Sequence, residues 1–382
     1  MLRFASKPVA IALGAMLCWI AASAPAVRAE IAPATRARID EIASAPVTDG
    51  ETPALIVGVM QGSDRMVRGY GETTVGSGIR PTASTVWEIG SITKTFTAML
   101  LASYVRQGLV HYDDPLQKYV PNWVTVPSYR GRQIELIDLA THTSGLPKDP
   151  RLGGRYHLSD EEMYRLTNAY VLTRAPGSRF EYSNWGFALL AHALMRATGQ
   201  EYQPMVETNL CIPLGLVDTR VDLTPDELAR QAQGYGPAGR PKPHDNPTWP
   251  AFIGAGALRS TMDDMMRYLA YNLGQANTPL NSLLPDLQRH WHAGGRPGTY
   301  VGLAWQMFPM RGTNHMVIWK NGAASGFFSY IGFVKETGTG VVVIANRKTR
   351  VGMVAMQILR MLNGANVIEP QPSEEEPEES AQ

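Results

Sequence analysis

Trp87-Glu88-Ile89-Gly90-Ser91-Ile92-Thr93-Lys94-Thr95-Phe96-Thr97-Ala98-Met99-Leu100 is the stretch that decides how the rest of this chain is read. A mixed polar and apolar approach halts at Gly90, and a run with little charge continues through Val105 to Gly108, which predicts a mostly buried helix closed by glycine. Ser91 and Lys94 fall in its first turn. Three residues apart on a helix, the two side chains share a face, so the amine reaches the hydroxyl. A serine hydroxyl is a poor nucleophile until a neighbour takes its proton, and a lysine does so only when its own charge is disfavoured by burial or a second cation. A helix start also offers unpaired N–H groups to negative charge developing on a substrate oxygen. Alone, S-x-x-K is expected about once by chance in a chain of this length. The residues downstream therefore decide its meaning.

Outward from this stretch, the chain has 382 residues, 44% of them hydrophobic, enough for one large domain or two smaller ones. With 35 Lys+Arg against 34 Asp+Glu, no long-range field draws it to nucleic acid or acidic lipid, which leaves small-molecule or peptide chemistry. Residues 1–29 carry Arg3 and Lys7, an uncharged apolar run from Val9 to Ala22, and Val27-Arg28-Ala29 before Glu30, the pattern of a cleavable secretory signal. An uncleaved anchor is the alternative reading. Once that leader is removed only Cys211 remains, so no intramolecular disulfide forms, and no Cys/His metal-ligand spacing is present. Residues 364–382, Pro/Glu/Ser-rich from Glu369, read as a disordered acidic tail.

Between these ends, 34–43 has helical spacing, and 54–60 with 66–70 reads as a hairpin. Helices are predicted over 111–121, 133–143, 158–172, 184–196 and 262–273, with a long surface loop over 236–250. His142, in Thr141-His142-Thr143-Ser144-Gly145, is either a base or a structural histidine satisfied by the backbone of a capping turn. From about Val301 the period changes to strands at 302–307, 315–320, 327–334 and 339–345, closed by a helix over 351–362. Two early strands and four late ones flanking a helical middle predict one sheet assembled from both termini, with a helical domain inserted.

Three separated elements then combine: Ser91-x-x-Lys94, Tyr182-Ser183-Asn184 at a loop-to-helix junction, and Lys320-Asn321-Gly322 at a strand edge. With these motifs in this order, the chain resembles the penicillin-recognising serine hydrolases related to class C β-lactamases. Arg68-Gly69-Tyr70-Gly71-Glu72-Thr73, Asp114-Pro115-Leu116-Gln117-Lys118-Tyr119, Leu139-Ala140-Thr141-His142-Thr143-Ser144 and Ala175-Pro176-Gly177-Ser178 are most similar to the periplasmic D-alanyl-D-alanine carboxypeptidase/endopeptidase branch. The resemblance implies an α/β (α+β), β-lactamase/transpeptidase-like fold: an antiparallel sheet from the N- and C-terminal segments (about 30–85 and 295–363), flanked by helices, and an inserted mainly helical part (about 86–294).

It further implies that Ser91 is acylated, Lys94 accepts or relays its proton, and Tyr182 serves the leaving group and the deacylating water. Asn184 would hold the substrate amide, Lys320 the substrate carboxylate, and the N–H groups of Ser91 and Ala323 the oxyanion. Asn321, followed by Gly322, departs from the hydroxyl residue usual there, though an amide still donates to a carboxylate. Asn346 is read either as a second carboxylate contact or as a strand-end turn. Two lysines converging on a phenol favour its ionised form and disfavour each other's charge. No cofactor is implied. The expected partners are peptidoglycan-derived peptides or β-lactams, not nucleic acid, metal or, after leader cleavage, membrane; the expected location is periplasmic or secreted. Motifs do not report deacylation, so carboxypeptidase, class C β-lactamase, carboxylesterase and non-turnover penicillin sensor all stay open.

Overall fold

The computed structural model describes residues 31–150, 158–243 and 250–365. The leader reading and, from residue 366, the tail reading lie outside them. Among the described residues the strands are β1 (Ala54–Gln61), β2 (Asp64–Gly71), β3 (Val86–Glu88), β4 (Ser128–Tyr129), β5 (Arg132–Gln133), β6 (Arg259–Thr261), β7 (His292–Ala293), β8 (Tyr300–Val301), β9 (Gln306–Pro309), β10 (Met316–Ala323), β11 (Phe328–Val334) and β12 (Thr339–Ala345). Eight form one sheet in the order β2-β1-β12-β11-β10-β9-β8-β7, so the first and last strands of the chain lie side by side, one strand in from its edge. β1 and β12 pair antiparallel, Val57 opposite Val343.

β1, β11 and β12 are apolar at nearly every position because helices cover both faces of the sheet. Leu55, Val57, Val59, Val341 and Val343 pack with Ile39, Ile42, Val354, Ile358 and Leu359 of the two terminal helices, Pro33–Thr48 and Val351–Leu362. Their alternates Ile56, Met60, Val342 and Ile344 join the larger core with the Thr93–Arg106, Asn184–Thr198 and Met262–Asn272 helices. Period two thus divides one sheet between two cores. Met265, Met266 and Leu269 are core residues, and burial pushes the Cys211 thiol up to about 12, leaving it an inert apolar filler.

Four expectations change. The helix expected at 111–121 is one 3₁₀ turn, Leu116–Tyr119, because Pro115 is extended (ψ 136°) and the Asp114 carboxylate takes the His111 N–H and the Tyr119 hydroxyl instead of capping. The helix expected at 133–143 shrinks to Leu136–Ala140, since Gln133 is spent in the β4–β5 hairpin. The strand expected at 302–307 begins at Gln306, after Ala304 enters the left-handed region at φ +65°. Lys320-Asn321-Gly322 lies inside β10, paired to Ile331, Tyr330 and Ser329 of β11, not at the strand's edge.

Candidate active site

The serine sits where an extended strand is forced into a helix. β3 ends at Glu88; Gly90, Ser91 and Ile92 make a 3₁₀ turn, and the α-helix proper begins at Thr93. Gly90 holds φ +50°, and a Cβ there would lie 2.6 Å from Ala323 O and 2.7 Å from Ala323 N. Gly322 completes the approach from the other side: its Cβ would lie 2.9 Å from Ser91 N and 2.1 Å from Ile89 O. Two residues without side chains therefore let the end of β10 lie directly on the serine turn, and Ser329 Oγ fastens the pair by donating to Ile89 O at 2.9 Å.

Lys94 is fully buried; its Nζ donates to Ser91 Oγ at 2.8 Å and to Ala255 O at 2.7 Å. The second contact comes from the short helix Ile253–Gly256, which Thr97 Oγ1 holds by donating to Gly254 O at 2.7 Å. From the opposite direction the Tyr182 hydroxyl donates to Ser91 Oγ at 2.8 Å, 91 residues away in the chain. Ser183 caps the Asn184–Thr198 helix, its Oγ accepting from Gly186 N at 2.8 Å and donating to Pro147 O at 2.7 Å, so Tyr182 is displayed from an anchored junction. Lys94 Nζ and Lys320 Nζ lie 5.0 and 4.9 Å from the centre of the Tyr182 ring. One amine and a phenol thus meet at the alcohol, with a second amine beside the phenol.

The remaining sequence candidates divide. Lys320, also fully buried, donates to Asn321 O and Asn321 Oδ1, both at 2.9 Å, so the amide that replaces a hydroxyl residue orients the ammonium. Asn184 is beside the site with its Nδ2 donating to Asp149 Oδ1 at 3.0 Å. Asn346 is elsewhere in purpose. Its Oδ1 accepts from Ala54 N and Thr52 Oγ1, and its Nδ2 donates to Thr73 O and Gln233 O, so this buried amide bolts the ends of β1 and β12 together and offers a carboxylate nothing.

The sequence reading missed three participants. Ala255 contributes a backbone carbonyl, for which only the small-residue run Gly254-Ala255-Gly256-Ala257 gives any sign of close approach. Asp149 holds Asn184. Glu88 accepts from Ser325 N at 3.3 Å and lies 3.9 Å from buried Arg259, steadying the turn that follows Ala323. Among the described residues no His/Cys/Asp/Glu group is arranged to hold a metal.

His142 is buried, and burial together with the charges of Lys94 and Lys320 holds its imidazole well below the ordinary value. The unfolded chain takes up a proton here below about pH 6.5 that the folded chain refuses, so stability is full above that pH and falls as pH drops through it, by up to about 1.4 kcal/mol per unit. Denaturant unfolding at pH 7.5, 6.5 and 5.5 is expected to show this slope. In His142→Asn it flattens by one proton's worth; an unchanged slope would assign the effect to other groups.

With this geometry in hand, comparisons with known proteins give a consistent answer. The β-lactamase family profile matches residues 39–365. D-alanyl-D-alanine-carboxypeptidase/endopeptidase AmpH of Escherichia coli K12 is 33% identical over 306 residues, covering 76% of this chain and 78% of that protein. A β-lactamase of Pseudomonas fluorescens is 26% identical over 334 residues, 77% of this chain and 88% of that one. Among solved structures, a β-lactamase/D-alanine carboxypeptidase from Yersinia pestis complexed with citrate matches with a TM-score of 0.75 at 26% identity, covering 86% of this chain and 98% of that one. By its sequence match and its fold alike, the chain belongs to the β-lactamase family of serine hydrolases.

Proposed function

We propose that this protein is a periplasmic or secreted serine hydrolase, exported by the leader at 1–29, that cleaves D-alanyl-D-alanine-type peptides of peptidoglycan through an acyl-enzyme. β-Lactams would acylate the same serine and be hydrolysed slowly. The observation that carries this reading is the convergence of Lys94 Nζ and Tyr182 OH on Ser91 Oγ, each at 2.8 Å. A buried amine and a phenol give the alcohol two routes for its proton, one for acylation and one for deacylation.

In the first half-reaction Ser91 Oγ adds to the carbonyl carbon of the penultimate residue while its proton passes to Lys94 or, through it, to Tyr182. The carbonyl oxygen takes up negative charge against the N–H groups of Ser91 and Ala323. The C–N bond then breaks, Tyr182 gives its proton to the departing amine, and an ester remains on Ser91. In the second half a water gives a proton to Tyr182 and adds to the ester, the bond to Oγ breaks, and Oγ takes back a proton from Lys94, directly or by relay from Tyr182. Lys320 and the Asn321 amide would meet the substrate's terminal carboxylate, and Asn184, its Nδ2 held by Asp149, would accept a substrate N–H at Oδ1.

Release of D-alanine from a D-Ala-D-Ala peptide and hydrolysis of nitrocefin, each measured for the wild type and Ser91→Ala, test the proposal. Peptide turnover lost in Ser91→Ala is expected. Nitrocefin turnover much faster than peptide turnover would reassign the protein as a β-lactamase, ester-only turnover as an esterase, and stable acylation without turnover as a penicillin sensor.

A further inference from the structure

His142 touches three consecutive residues of the Tyr182 junction in three different ways. Its backbone carbonyl accepts from Glu181 N at 2.7 Å. Its Nδ1 accepts from Ser183 N at 3.0 Å. Between these two bonds its ring lies against the Tyr182 ring, centroids 4.4 Å apart and planes tilted by 33°. Phe180 and Phe187 close around the imidazole at 5.7 and 4.8 Å. The residue itself is 1% exposed and sits at φ +58°, a conformation rare outside glycine.

From this bracket we infer that His142 is the positioning residue of Tyr182, fixing the phenol at hydrogen-bond distance from Ser91; the role rests on the acyl-enzyme reading given above. The choice of side chain is explained by the combined demands. Of the non-glycine residues that enter the left-handed region with tolerable strain, asparagine and aspartate supply an acceptor but no ring. Phenylalanine supplies the ring without the acceptor. Histidine supplies both. Because Nδ1 accepts a hydrogen bond, the neutral ring carries its proton on Nε2, which has no hydrogen-bond partner among the described residues. A buried donor left unmatched is a cost that turn formation alone does not explain. It is consistent with a residue kept for what its ring does to Tyr182. His142 brackets Tyr182, and Tyr182 in turn reaches Ser91, so the histidine acts on the serine through the tyrosine.

Two variants separate this from a purely structural part in the turn. His142→Asn keeps the backbone preference and places Oδ1 near the site of Nδ1, but removes the ring. His142→Phe keeps the ring and removes the acceptor. Single-turnover acylation by a chromogenic β-lactam, normalised to the fraction of acylatable Ser91, is the readout. The asparagine variant is expected to acylate about tenfold to a hundredfold more slowly, with substrate dissociation changed less than about threefold and the pH profile of acylation displaced. The phenylalanine variant is expected to recover about tenfold of that loss. A role confined to the backbone turn gives the reverse order, because asparagine suits φ +58° and phenylalanine does not. Equal rates per active site in wild type and His142→Asn, or the reverse order, overturn the inference. Should the asparagine variant not fold, the phenylalanine variant decides: a rate within about tenfold of wild type supports the ring's role, and a loss beyond a hundredfold overturns it. A wild type that never acylates at Ser91 instead overturns the hydrolase reading, a different failure.

Discussion

Lys94→Met is expected to slow acylation of Ser91 by about a thousandfold or more while the protein folds almost as well as the wild type. The two halves of that expectation have separate causes. Lys94 spends its Nζ on Ser91 Oγ and on Ala255 O from a fully buried position, so its removal takes away the group placed to accept the serine's proton. Methionine fills a similar volume without a polar head, and relief of the cost of burying an amine offsets much of what is lost. The unmatched Ala255 carbonyl costs about 1–3 kcal/mol. Denaturant unfolding is therefore expected to place the variant within about 2 kcal/mol of the wild type. Stopped-flow acylation reads the first half, and a variant that acylates at the wild-type rate removes Lys94 from the mechanism.

Gly90→Ala is expected to reduce acylation by about a hundredfold to a thousandfold, the loss associated with a displaced oxyanion donor. The added methyl would meet the nitrogen, carbonyl carbon and oxygen of Ala323, all backbone atoms of a strand end held by β11, so no side chain can swing away to relieve it. Moving β10 back separates Ala323 N from Ser91 N. The φ of +50° adds strain of about 1–2 kcal/mol for any L side chain, on top of about 1–3 kcal/mol for overpacking. Here activity and unfolding free energy fall together, unlike at Lys94. A Gly90→Ala protein that acylates normally would mean that the serine turn and the end of β10 do not share the substrate's oxygen.

Much of this site was legible because its parts lie where local sequence rules are strong. Ser183 reads as a helix cap, and it is one, which put Tyr182 at a rigid junction. A spacing of three residues at a helix start put Lys94 beside Ser91, and the apolar runs at 327–334 and 339–345 marked β11 and β12 as strands. What escaped was set by partners distant in sequence. β7 and β8 are two residues each and exist because β9 offers β8 an edge and β8 offers one to β7, pairings no two-residue pattern can announce. Asp114, which precedes a proline suited to a helix start, accepts instead from His111 N and the Tyr119 hydroxyl. Lys320-Asn321-Gly322 read as the edge of a strand ending at Lys320, yet β11 on one side pairs all three and keeps them extended. Ala255 acts through a carbonyl oxygen, which every residue has. Asn346 was offered to the substrate and instead ties β1 to β12, since a strand-end amide serves either purpose and only the neighbours decide.

The central claim is that the hydroxyl of Ser91, and no other group, becomes covalently attached to substrate. Intact-mass and peptide-mapping spectrometry after brief exposure to benzylpenicillin measures this directly. The account predicts a single adduct of the whole penicillin mass on the peptide containing Ser91, and none in Ser91→Ala. An adduct on a different residue, or an unmodified wild-type protein that still hydrolyses the drug, would contradict it.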